Sequence, residues 1–179
     1  MRIYIPRSSG AAAFDELSEV PWNELAHAYG SGIGQAPHED VPGALRLLGA
    51  EDEETMGEGV QLLFGNVCHQ GTIYEVTAHA FPFIAAWAAG APADDERLVS
   101  AFDLLAQIAI AATYDAPHGS HSGSWGDGVG EATRAAIKAS AVHLEVARLR
   151  SPMLGQLVAV LLPEIDAARL EAVIDAADR

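Results

Sequence analysis

Cysteine is almost absent from this chain: Cys68 is the single one among 179 residues. No disulfide can form within the chain, so a reducing, cytoplasmic setting is expected. Basic residues are scarce as well. Ten Lys and Arg against 25 Asp and Glu leave a formal net charge of −15. A surface that acidic repels phosphate backbones, so neither nucleic acid nor an anionic membrane is an expected partner. It suits simple solubility, or a basic protein partner. No run of about eighteen apolar residues escapes a charge, glycine or proline, so no membrane span is expected. Residues 1–6 are too short an apolar run to resemble a signal peptide. The phosphate loop, the dinucleotide-binding glycine fingerprint and the Gly-x-Ser-x-Gly elbow on a strand are all missing.

What the chain does have is apolar content: 50% of its residues are hydrophobic. That suffices for a single domain to bury its own core without a homo-oligomer. Apolar residues recur at helical spacing through most of it, which predicts an all-α domain over residues 21–179 preceded by an arm at 1–20. Helices are expected near 22–29, 41–49, 52–65, 73–89, 95–112, 131–149, 152–162 and 167–177. In the first of these, Trp22, Leu25, Ala26 and Tyr29 fall on one helical face, and Gly30 closes it. Asp40 reads as the N-cap of the second, with Pro42 in its first turn. The acidic run 51–54 suits a helix N-terminus, where the macrodipole favours carboxylates. Gly57 and Gly59 cost about 1 kcal/mol each inside a helix, which points to the close approach of a neighbour. Pro82 falls within an otherwise apolar stripe of Ile73, Val76, Ala80, Ile84 and Trp87.

Two stretches depart from helix building. One is Gly65-Asn66-Val67-Cys68-His69-Gln70-Gly71-Thr72-Ile73-Tyr74, a tight polar turn between two apolar helices. There His69, Gln70 and Thr72 offer donors and acceptors, and Gly71 lets the backbone turn sharply. Its plain structural reading makes Thr72 the N-cap of the next helix. Glu75 and His79, four residues apart, share a helix face and have the makeup of a general-base pair or of an ordinary surface pair. Cys68 beside His69 reads as a buried structural thiol rather than an activated one. The other stretch is the long Gly/Ser/His-rich segment at 114–130, with Tyr114, His118, His121 and Trp125. A loop of that length in a compact domain is usually functional or disordered. His118-x-x-His121 with Asp115 and Asp127 has metal-ligand residue types, but the spacing is loose, and neither a metal nor a cofactor is expected.

The runs Trp22…Leu25…His27-Ala28-Tyr29-Gly30, Asp40-Val41-Pro42…Leu45…Leu48, Leu63-Phe64-Gly65-Asn66-Val67-Cys68-His69-Gln70-Gly71-Thr72-Ile73-Tyr74-Glu75 and Ala80-Phe81-Pro82-Phe83-Ile84 resemble the HEAT-repeat-like proteins of actinobacteria. The resemblance covers roughly residues 21–114. It implies antiparallel helix hairpins stacked as a short α-solenoid, and it supplies a fold rather than an activity. The arm at 1–10 and the loop at 117–130 depart from the family pattern.

Two functions follow as expectations. The first is a binding module of immunity or regulatory type, gripping a protein partner, a basic one if charge steers it, through a groove or its edge loops. The second is a small-molecule protein or cofactor-independent enzyme with a His-rich pocket. Its acid and base would come from His69, Glu75, His79, His118 and His121. In either case the contact residues are expected among His69, Gln70, Thr72, Tyr74, Tyr114, His118, His121 and Trp125, with the turn at 69–74 and the loop converging at one edge.

Overall fold

The computed structural model describes residues 2–31, 40–91, 97–113 and 123–149. Among these it is mainly helical, as the apolar periodicity requires. In chain order come a 3-10 segment Gly10–Glu19, a 3-10 turn Trp22–Glu24, strands β1 Ala26–His27 and β2 Gly30–Ser31, and helices α1 Val41–Leu48 and α2 Glu53–Val67. Strands β3 Cys68–His69 and β4 Thr72–Ile73 lead into α3 Glu75–Gly90, followed by α4 Arg97–Ala111, β5 Gly123–Ser124, α5 Val129–Ala139 and α6 Ala141–Arg148. No helix among the described residues is long and apolar enough to cross a membrane. The helices expected at 152–162 and 167–177 lie outside the described residues, as do Tyr114, His118 and His121.

Helix α3 is the hub. Every residue from 76 to 89 is buried, Pro82 included. A helix apolar on all sides must be covered on all sides. The 3-10 segment, α4, α5 and α6 cover it, and α1 touches it. Phe81, Phe83 and Ile84 are fully enclosed there. Helices α1 and α2 form a hairpin, capped by Asp40 as expected and by Asp52 of the acidic run. Asp40 accepts a hydrogen bond from the Gly43 N–H at 2.9 Å, and Asp52 accepts one from the Thr55 N–H at 2.8 Å. Gly59 explains the tightness of that hairpin, because a Cβ there would sit 2.7 Å from the Leu48 backbone nitrogen and 2.9 Å from the Ala44 carbonyl oxygen. Gly57 has no such neighbour within 4 Å.

Two helix expectations are corrected. The helix expected at 22–29 is a single 3-10 turn followed by the β1–β2 hairpin, in which Ala26 faces Ser31 and His27 faces Gly30. Eight residues make a marginal helix, and here the alternative is well tied down. The Trp22 indole donates to the Leu17 carbonyl at 2.7 Å, the Ala28 N–H donates to the Asn66 carbonyl at 3.3 Å, and Gly30 takes a φ of +140°. Tyr29 is therefore exposed instead of lining the core.

The helix expected at 131–149 begins earlier and breaks in two at Ser140, whose ψ of 4° ends α5 while its hydroxyl donates to the Ala136 carbonyl at 2.8 Å. The arm at 1–20 packs against the helices. Ala13, Phe14, Leu17 and Val20 are buried, and the Gly10–Glu19 segment lies along α3. Its extended start is pinned twice. Tyr4 donates to Glu16 at 2.6 Å, and the His143 imidazole bonds the Pro6 carbonyl at 2.9 Å.

Candidate functional site

The polar turn after α2 is a two-residue β-hairpin. Cys68 pairs with Ile73 and His69 with Thr72, leaving Gln70 and Gly71 at the tip with φ of 51° and 77°. Positive φ at both central residues is the type I′ geometry whose twist matches the flanking strands. Thr72 lies buried in β4 and does not cap α3. Tyr74 occupies the N-cap position, and Thr77 does the hydrogen bonding: its hydroxyl accepts from the Tyr74 N–H at 2.9 Å and donates to the Val67 carbonyl at 2.5 Å.

The expected meeting of turn and loop takes place at the loop's described end. Strand β5 adds to β4 in parallel, Thr72 beside Gly123 and Ile73 beside Ser124, and the Trp125 N–H donates to the Ile73 carbonyl at 2.8 Å. The Trp125 ring tilts over Tyr74 with centroids 6.5 Å apart. From the other side the β1–β2 hairpin brings Tyr29 edge-on to His69 at 5.9 Å. The result is an edge of two hairpins and a short strand, where Tyr29 and Trp125 are 51% and 45% exposed and Gln70 stands at the tip.

Cys68, beneath this edge, is buried, and burial pushes its thiol up to about 12. It stays protonated at neutral pH and is inert.

Beside the edge is a cleft of about 390 Å³ whose lining includes Ile3, Glu24, Glu75, His79, Asp127 and Val129. The sequence marks Glu75 and His79 as a possible pair. They share this cleft but are not hydrogen-bonded to each other. Glu75 turns its carboxylate to the Ala26 N–H at 3.1 Å. His79 is 4% exposed, and its Nδ1 has no hydrogen-bond partner among the described residues. Burial, the largest cause, lowers the His79 pKa, and the charge of Glu75 acts against it. Glu24 and Asp127 are neighbours of this pair that the sequence does not reveal, since Asp127 stands out there only beside the loop histidines. Only the docking of the Trp22–Glu24 turn and the start of α5 against α3 gathers them. Among the described residues, no group of three His, Cys, Asp or Glu side chains is placed to hold a metal ion.

No family model, curated protein or solved structure matches the chain. Function therefore has to be argued from these two features, the aromatic edge and the acidic cleft.

Proposed function

We propose that the chain is a helical binding module of HEAT-like character that grips a protein partner of basic charge through the edge formed by the two hairpins. One observation carries this reading: the hairpin at 68–73 is flanked by two half-exposed aromatics from distant parts of the chain, Tyr29 edge-on to His69 and Trp125 over Tyr74, in a molecule with a net charge of −15. Half-exposed tyrosine and tryptophan on a rigid support are the residue types that anchor protein interfaces. Surrounding negative charge speeds the approach of a basic partner and disfavours an acidic one. An immunity-type or regulatory role is consistent with this by analogy. The α1–α2 hairpin is the unit that a HEAT-like stack would repeat. Helix α3, touched by elements from both ends of the described chain, is what such a stack must accommodate.

The test is crosslinking with mass spectrometry in the source cell's extract, with wild type beside a Tyr29→Ala/Trp125→Ala variant. A basic partner crosslinked near residues 26–31 and 68–74, and lost in the folded variant, supports the reading. Crosslinks that map to other faces and survive the double substitution overturn it.

A second reading, a protein acting on or holding a small molecule, draws on the cleft where Glu75 and His79 meet. A buried imidazole nitrogen left without a protein partner is a polar group that a ligand can satisfy.

A further inference from the structure

The cleft beside α3 has a definite chemistry. Its polar lining is Glu24 from the Trp22–Glu24 turn, Glu75 and His79 from the first turns of α3, and Asp127 from the turn before α5. Ile3, Leu25, Ala78, Val129 and Ala132 supply apolar wall, and no Lys or Arg among the described residues lines it. The carboxylates have an ordinary structural role to set against a ligand-binding one. Glu75 lies in the first turn of α3, and Asp127 just precedes α5, so each complements a helix N-terminus. Magnitudes decide between the two. A helix N-terminus carries about half a positive charge, so two of them offset about one of the three carboxylate charges. The positive charge of the chain's N-terminus, which also acts on His79, offsets about one more, so a surplus of about one negative charge remains around a half-apolar cleft.

A second, independent feature points the same way. The His79 ring borders the cleft, is 4% exposed and has a buried Nδ1 with no hydrogen-bond partner among the described residues. A buried polar group of this kind destabilises the fold while it is unsatisfied. Burial favours its neutral form, and a neutral imidazole has one nitrogen able to accept a hydrogen bond. A carboxylate ligand would meet three carboxylates. A neutral alcohol would leave their charge uncompensated. A metal ion lacks a converging ligand set among the described residues. An ammonium group on a short aliphatic chain fits every part: up to three N–H donors for the carboxylates and the imidazole, and a methylene chain for Ile3, Leu25 and Val129.

We infer that the cleft bounded by Glu24, Glu75, His79 and Asp127 is a binding site for a linear aliphatic primary amine in its ammonium form. This rests on the second reading above, that the cleft takes a small ligand, and it names the ligand's class. Exposed charges such as Glu24 and Asp127 contribute modestly one by one, so selectivity comes from the combination of charge with the apolar wall.

The experiment is a titration of the ¹⁵N-labelled full chain, followed at the amides of Ala78, Gly128 and Ala132. The probes are n-butylammonium chloride, n-butanol and sodium butyrate, each at matched ionic strength with sodium chloride as reference. Saturable shifts with n-butylammonium alone are expected, weakened about tenfold in Glu75→Gln/Asp127→Asn. The amide oxygen introduced at position 75 would still accept the Ala26 N–H. Should that double variant not fold, Glu24→Gln on the exposed turn serves instead, with about threefold weakening expected. Saturation by butanol or butyrate in place of the ammonium overturns the inference and leaves the small-ligand reading standing. No saturation by any probe overturns both. Equal n-butylammonium affinity in the folded variant and wild type also overturns the inference.

Discussion

Two glycines in α2, two positions apart, have opposite meanings. Both lower helix stability by about 1 kcal/mol relative to alanine when nothing else intervenes. At Gly57 nothing else does, since no atom stands within 4 Å of where a methyl group would go. Gly57→Ala is expected to raise stability by about 1 kcal/mol. At Gly59 the same methyl would meet the α1 backbone at 2.7 Å, and backbone cannot step aside as a side chain can. Gly59→Ala is expected to lower stability by about 1–3 kcal/mol. Urea titrations of both variants check this pair, and like-signed shifts would contradict it. The sequence places both glycines in a helix but cannot tell them apart, because the distinction lives in α1. Cys68 is legible from sequence as a structural thiol. With its pKa raised to about 12 by burial, it should label negligibly with iodoacetamide at pH 8 in the native protein and rapidly in urea. Fast native labelling would mean that the turn opens.

At the scale of elements, the long apolar stripes and the Asp40 cap are legible in the sequence, while the Thr72 cap expected for α3 and the short turns are not. Asp40 and Asp52 cap their helices because an N-cap depends on residues next to it in sequence. The β1–β2 hairpin is hidden because Trp22, Leu25 and Tyr29 mimic a helical face, while the contacts that decide the matter come from Leu17 and Asn66. The Gln70-Gly71 tip is recognisable as a sharp turn but not as a hairpin, since its strands are two residues each.

The start of the chain reads in sequence as a short extended arm with no visible anchor, because that anchor, Glu16, carries no local signal. Its carboxylate accepts from the Tyr4 hydroxyl at 2.6 Å and from the Arg7 and Ser8 amides. These bonds, the Tyr4 hydroxyl first, hold it at about 2, below its ordinary 4.5. A depressed carboxylate stabilises the fold above the unfolded value and loses that contribution as pH falls through the folded one. The latch should therefore weaken between about pH 4.5 and 2. Tyr4 ring resonances should report that step in wild type, and Glu16→Gln should abolish it. An unchanged step in Glu16→Gln would assign it to another group.

For the whole molecule, the decisive feature is that α3 has no face left for water. Its cover comes from α1, α4, α5, α6 and the Gly10–Glu19 segment, so elements from across the described chain share one core. The same convergence assembles the candidate sites. The aromatic edge is half legible in the sequence, because the turn at 69–74 and Trp125 stand out as departures from helix building. The acidic cleft is not, because Glu24 and Asp127 meet α3 only after the chain has closed around it. A shared core has a consequence for domain boundaries. Removing residues 1–20 would uncover α3 where Ala13, Phe14, Leu17 and Val20 now bury it. Within that segment Leu17 is 1% exposed, and Leu17→Ala should cost about 2–5 kcal/mol, the range for a fully enclosed leucine. That is a large part of the total stability of about 5–15 kcal/mol typical of a domain. A chain starting at residue 21 is accordingly expected to lose its cooperative thermal transition, and Leu17→Ala to keep a transition that is single but shifted down. Calorimetry of both checks the argument. A truncated chain that unfolds as sharply and at the same temperature as the full one would show that the segment decorates the core instead of completing it.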